Sequence, residues 1–188
     1  GGLFLPSKIK KYSESELKNL SKLSYVDLAT EIIFNFCKED IDKNELKIIL
    51  EKSYGNFKNK EVVVLKKIGN HNLLELYNGP TLAFKDIAMQ VIGNMYDYLE
   101  VSKNKVVNIL VATSGDTGSA AISALNDRKN INEFILHPHN KISNIQRRIM
   151  TTIGSNNIFN IAIEGSFDDC QKIVKEMFND NDFRKKIN

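Results

Sequence analysis

Apolar residues recur along this chain with two different periods, and the change between them falls near residue 60. Before it the spacing is helical. Ser13 with Glu16 has the form of a capping box ahead of Leu17 and Leu20. Val26, Ala29, Ile32, Ile33 and Phe36 line a second helix with Cys37 on its flank, and Asp42 with Glu45 heads a third carrying Leu46, Ile49 and Leu50. Residues 62–65 and 73–76 are short β-type runs around a Gly–Asn-rich turn at 69–72. Gly79 and Pro80 then mark a turn before a long amphipathic stripe of Phe84, Ile87, Ala88, Val91, Ile92, Met95 and Leu99.

From there strands and helices alternate. The pattern predicts strands at 106–112, 133–136 and 158–163. It predicts helices at 117–125, after Ser143 (Ile145, Ile149, Ile153) and after Ser166 with Asp169 (Ile173, Val174, Met177, Phe178). Apolar strands between amphipathic helices make βαβ units. The expected architecture is α/β: a doubly wound, mostly parallel sheet with helices on both faces, preceded by a small, mainly helical N-terminal domain.

Composition narrows the function classes. The 188 residues carry a net charge of only +3, with Lys10–Lys11, Lys66–Lys67 and Lys185–Lys186 dispersed, so no nucleic-acid stripe is expected. No apolar run reaches membrane-spanning length and no signal-peptide pattern is present, so a cytoplasmic protein without a membrane partner is expected. Cys37 and Cys170 are isolated and read as reduced structural thiols. His137 and His139 lack neighbouring cysteines or carboxylates, so they read as solvated loop residues and no metal site is expected; His71 falls in a turn.

Two segments carry candidate chemistry. Lys85 falls on the predicted first turn of the long helix, where the helix dipole favours a neutral amine able to condense with a carbonyl. Asp86 adds an opposing negative charge beside it. On placement alone a solvated surface lysine is the competing reading. The second segment, residues 113–118, joins a buried strand to a helix N-terminus, the usual ligand position in open α/β sheets. Ser114, Thr117 and the amides beyond Gly115 could receive an anion, but on the residues alone Asp116 or Thr117 acting only as a helix cap is the favoured reading.

Tyr77-Asn78-Gly79-Pro80-Thr81-Leu82-Ala83-Phe84-Lys85-Asp86 resembles the cofactor-lysine segment of the threonine synthase family, pyridoxal-phosphate enzymes of fold type II (tryptophan-synthase-β-like). Residues 112–121, Ala-Thr-Ser-Gly-Asp-Thr-Gly-Ser-Ala-Ala, resemble that family's substrate-contacting loop. Weaker matches follow in order: the opening Gly1-Gly2-Leu3-Phe4-Leu5-Pro6, Lys141-Ile142-Ser143 with Gln146, and Phe167-Asp168-Asp169-Cys170-Gln171.

The resemblance implies a PLP-dependent carbon–oxygen lyase that converts O-phospho-L-homoserine and water to L-threonine and phosphate, the last step of threonine biosynthesis, as a monomer or homodimer. Lys85 would be the catalytic lysine, with Phe84 and Asp86 also at the cofactor. Thr113, Ser114, Gly115, Asp116 and Thr117 would hold the substrate carboxylate, Asp116 marking the substrate class. Residues 1–60 would be the family's small N-terminal domain and 61–188 the first part of its PLP-binding domain. Tyr54-Gly55-Asn56-Phe57 looks superficially like the family's phosphate cradle but lies too early and reads as coincidence. Arg147 and Arg148, near a helix start, read equally as aids to an anionic substrate or as a solvated face. The family's Gly–Asn-rich phosphate loop and its pyridine-nitrogen partner find no match, so the chain is expected to be part of a longer enzyme with little or no turnover alone. Another fold-type II enzyme (a threonine dehydratase or cysteine synthase), a non-catalytic threonine-synthase-like protein and a helix–sheet interaction module are the alternatives.

Overall fold

A computed structural model describes residues 4–100 and 106–187; Gly1, Gly2 and Leu3 of the family-like opening lie outside them. Three helices come first: α1 (Glu14–Leu20), α2 (Tyr25–Cys37) and α3 (Lys43–Tyr54). Each starts where the sequence supplies a side-chain cap. Ser13 and Glu16 close the capping box, Ser24 accepts from the Asp27 amide, and Asp42 from that of Asn44. Leu46 and Leu50 of α3, one turn apart, are fully buried beside Ile41, Tyr54, Phe57 and Val62. Tyr54 and Phe57 stack edge to face with centroids 5.4 Å apart, so this aromatic pair is core, in keeping with coincidence for the cradle-like segment.

The β-type runs form an antiparallel hairpin, β1 (Val64–Ile68) with β2 (His71–Glu75). Its register starts two residues later than the apolar run because Val62, buried with φ 58°, turns the chain before the strand begins. The long helix follows as α4 (Asp86–Glu100); its Val91 joins the core of the first three helices. The parallel sheet is built from β3 (Val107–Ala112), β4 (Ile131–Pro138) and β5 (Ile158–Ile163), in the order β3-β4-β5. Helices α5 (Asp116–Leu125), α6 (Asn144–Thr152) and α7 (Phe167–Asn179) intervene or follow.

Ile122 of α5 and Met150 of α6 pack on Ile135, covering one face of the sheet. On the other face, α7 and an unpredicted helix α8 (Asn181–Ile187) border a groove of about 700 Å³ floored by Leu110, Phe134, Leu136 and Ile161. The expected α/β arrangement with helices on both faces is thus observed. Helix α8 was hidden because only Phe183 and Ile187, one turn apart, are apolar in a strongly charged segment; both face the groove. In α6 the buried residue is Met150, while Ile145 is 73% exposed, so the helix is rotated from the stripe read in the sequence. None of the described helices is long and apolar enough to cross a membrane.

Candidate active site

Lys85 is the turn residue immediately before α4, not a member of its first turn. Its carbonyl accepts the Met89 amide at 2.9 Å, which makes it the half-in residue at the helix start. The reason lies in Asp86. That side chain is fully buried and reaches backwards: Oδ2 accepts the Thr81 amide at 2.8 Å and Oδ1 accepts the Thr81 hydroxyl at 2.7 Å. A Cβ on Gly79 would lie 2.4 Å from the Asp86 Cβ, so the chain closes this tightly only with glycine there. Leu82, inside the same loop, has φ 63°, a left-handed conformation unfavourable for a leucine.

Asp86 therefore fastens the loop and helix start together, and its oxygens are occupied by Thr81. Lys85 is half-buried as a residue, and its Nζ sits 4.3 Å from the centre of the exposed Phe84 ring. Among the described residues the ion pairs of lysines involve other positions, so no carboxylate neutralises Lys85.

Residues 113–117 follow β3 directly. Thr113 is buried, and its hydroxyl accepts the amides of Gly115 and Gly118 at 2.9 and 2.8 Å. Gly115 is at φ 134°, closed to other residues without strain. It is the N-cap of α5 and offers no side-chain cap; among the described residues the amides of Asp116 and Thr117 have no acceptor. This differs from α6 and α7, both closed by capping boxes, Ser143 with Gln146 and Ser166 with Asp169. Ser114 and Asp116 are exposed and Thr117 is half-buried. Open amides at a helix start, with exposed hydroxyl and carboxylate side chains beside them, can receive an anionic ligand group.

The two segments lie at one end of the molecule. Gln90 of α4 donates to Ser123 of α5 at 3.4 Å, and Arg128, in the chain just beyond α5, donates from Nη2 to Asn94 at 3.3 Å and pairs with Asp97 further along α4, so contacts advance along both segments in step. The helices run in the same sense and their N-termini share an end. The three parallel strands also finish at one edge, which gathers the starts of α5, α6 and α7. Gln146, noted in the sequence only as part of a weak match, proves to join two of these loops: Nε2 donates to Asp116 Oδ1 at 2.6 Å. Arg147 and Arg148 are exposed on α6.

Of the paired histidines, one differs from expectation. His137 is not a solvated loop residue but the penultimate residue of β4, 5% exposed with Nδ1 unpartnered, and burial pushes its imidazole pKa down. His139 does lie in the exposed loop, with Nδ1 2.5 Å from Glu164 Oε1. A group the sequence reading passed over is Glu133 in β4, fully buried with both oxygens unpartnered, its carboxyl pushed up to about 8 by burial.

Comparison with known proteins bears on both segments. A family model described as "Threonine synthase N terminus" matches residues 1–54. Over 186 residues the chain is 45% identical to a threonine synthase of Pseudomonas aeruginosa, covering 98% of this chain and 40% of that protein. It is 40% identical to a threonine synthase of Saccharomyces cerevisiae, covering 100% of this chain and 40% of that one. A crystal structure of PLP-bound threonine synthase from Brucella melitensis superposes with a TM-score of 0.89 at 40% identity, over 100% of this chain and 40% of that chain. The chain thus spans about two fifths of the length of the relatives it matches.

Proposed function

We infer that this chain belongs to the threonine synthase family and corresponds to the N-terminal part of such an enzyme, residues 1–60 being its small N-terminal domain and 61–188 the first part of its cofactor domain. The whole protein would be a cytoplasmic enzyme that converts O-phospho-L-homoserine and water to L-threonine and phosphate. The observation that carries the reading is Lys85: a half-buried residue at a helix start whose amine has no carboxylate partner among the described residues, while its acidic neighbour is turned away to Thr81. Similarity to the first two fifths of threonine synthases, running along nearly all of this chain, supports it.

These residues fit the aldehyde end of pyridoxal 5'-phosphate, because an amine without an ion-pair partner is the group an aldehyde requires. When bound, the cofactor supplies a conjugated ring that draws electrons from the substrate carbons. Lys85 would hold the aldehyde covalently and yield it to the substrate amino group. The freed Nζ would then move protons at the substrate Cα and Cβ as phosphate leaves Cγ and water adds at Cβ. Phe84, under the amine, would limit its swing, and Asp86 would fix the backbone from which Lys85 projects. The open amides of Asp116 and Thr117, with the Ser114 hydroxyl, would receive the substrate carboxylate, while Thr113 and Gly115 set the loop's curvature.

The test is borohydride reduction of the full-length protein loaded with the cofactor, followed by peptide mass spectrometry. The pyridoxyl group is expected on Lys85, and Lys85→Ala is expected to lose both label and turnover. A label on another side chain, or turnover retained by the variant, refutes the assignment.

A further inference from the structure

We propose that Gln146 is a positioning residue that clamps Asp116 clear of the open amides at the start of α5. The proposal rests on the reading of residues 113–117 as the loop that receives the substrate carboxylate. Gln146 is the third residue of α6, and its Oε1 accepts from the Ser143 hydroxyl at 2.8 Å and the Ser143 amide at 3.3 Å. A backbone N–H needs an oxygen opposite it, so the amide orientation is fixed and the NH2 group faces the other loop. There Nε2 donates to Asp116 Oδ1 at 2.6 Å. Gly115 leaves room for this bridge: a Cβ there would lie 2.4 Å from the Gln146 amide carbon.

Asp116 is the first residue of a helix that lacks a side-chain cap. A carboxylate in that position is attracted to the free N–H groups and to the positive end of the dipole. Released from Gln146, it would compete with an anionic substrate for the same donors. Held by Gln146, it stands aside and the donors stay open. The expected signature is therefore in substrate binding more than in chemistry.

Glutamate separates this role from simple capping. Glu serves the third helical position of a capping box as well as Gln does. It lacks the donor, however, and sets a like charge against Asp116. In the full-length protein, Q146E should keep the parent's thermal midpoint and kcat while KM for O-phospho-L-homoserine rises about tenfold or more. Hydrogen exchange at the open amides of Asp116 and Thr117 should slow in Q146E as the released carboxylate covers them, a readout independent of turnover. Gln146→Ala, which removes cap and clamp together, should raise KM and also lower the midpoint. An unchanged KM in folded Q146E, a loss confined to kcat, or unchanged exchange overturns the clamp. A parent protein without turnover would instead refute the assigned reaction, and the exchange measurement would still decide the clamp.

Discussion

Replacing Glu133 with Leu should make the protein more stable, by an amount that grows as the solution becomes more alkaline. In β4, Glu133 lies opposite Ile109 on one side and Ile158 on the other, with Ile131 and Ile135 two residues away along the strand on the same face. Ile109 and Ile131 pack with Ala124 and Leu125; Ile135 and Ile158 pack with Ile122 and Met150. The carboxyl therefore stands at the divide between two apolar clusters, fully buried and without a hydrogen-bond partner. Burial raises its pKa from the ordinary 4.5 to about 8, so the folded state holds the proton more tightly than the unfolded chain does.

The sign follows from that ordering. The protonated side chain's contribution is fully present below pH 4.5 and is lost progressively up to about pH 8. The displacement corresponds to about 5 kcal/mol between those limits. Leu removes this loss and fills the divide with apolar volume; Gln removes the pH dependence but keeps an unsatisfied polar group costing about 1–3 kcal/mol. Urea unfolding monitored by far-UV circular dichroism from about pH 5 to pH 9 measures the difference between parent and variant, in which the other titrating groups cancel. Equal pH slopes for parent and Glu133→Leu would show that the carboxyl is solvated or partnered and refute the reasoning.

Two further substitutions test the loops. Asp86→Ala strands the Thr81 amide and hydroxyl and should cost about 1.5–3 kcal/mol in urea unfolding, because both bonds run to a buried carboxylate; a loss under half of that would mean the loop finds other partners. Gly115→Ala combines a strained φ of 134° with a collision against Gln146, and should destabilise by about 1–3 kcal/mol while raising KM in the full-length protein; an unaltered KM would show that the loop does not touch substrate.

Much of the architecture was legible because its signals are local. The capping serines Ser13, Ser143 and Ser166 announced three helix starts, and each forms the bonds its spacing implied. Continuous apolar strands announced a sheet covered on both faces. What escaped depends on partners distant in sequence or on backbone reversals. Lys85 stands just outside α4 because Asp86 bonds to Thr81, which periodicity does not register. His137 read as a solvated loop residue and Glu133 only as the start of a strand, yet the crossover helices bury that face of β4. The Asp116–Gln146 bond spans thirty residues, so the sequence offered two separate motifs and no indication that they meet.

Thr113 supports its loop from below, through a hydroxyl that never reaches the surface, while Ser114 and Asp116 stand on the outside. Contour is thus set by a buried side chain, and under the proposed reading recognition would fall to the outward ones. On that reading, exchanging the outward pair would retune which molecule is grasped without recasting the hand that grasps it, whereas altering the threonine would deform the grip for every substrate alike.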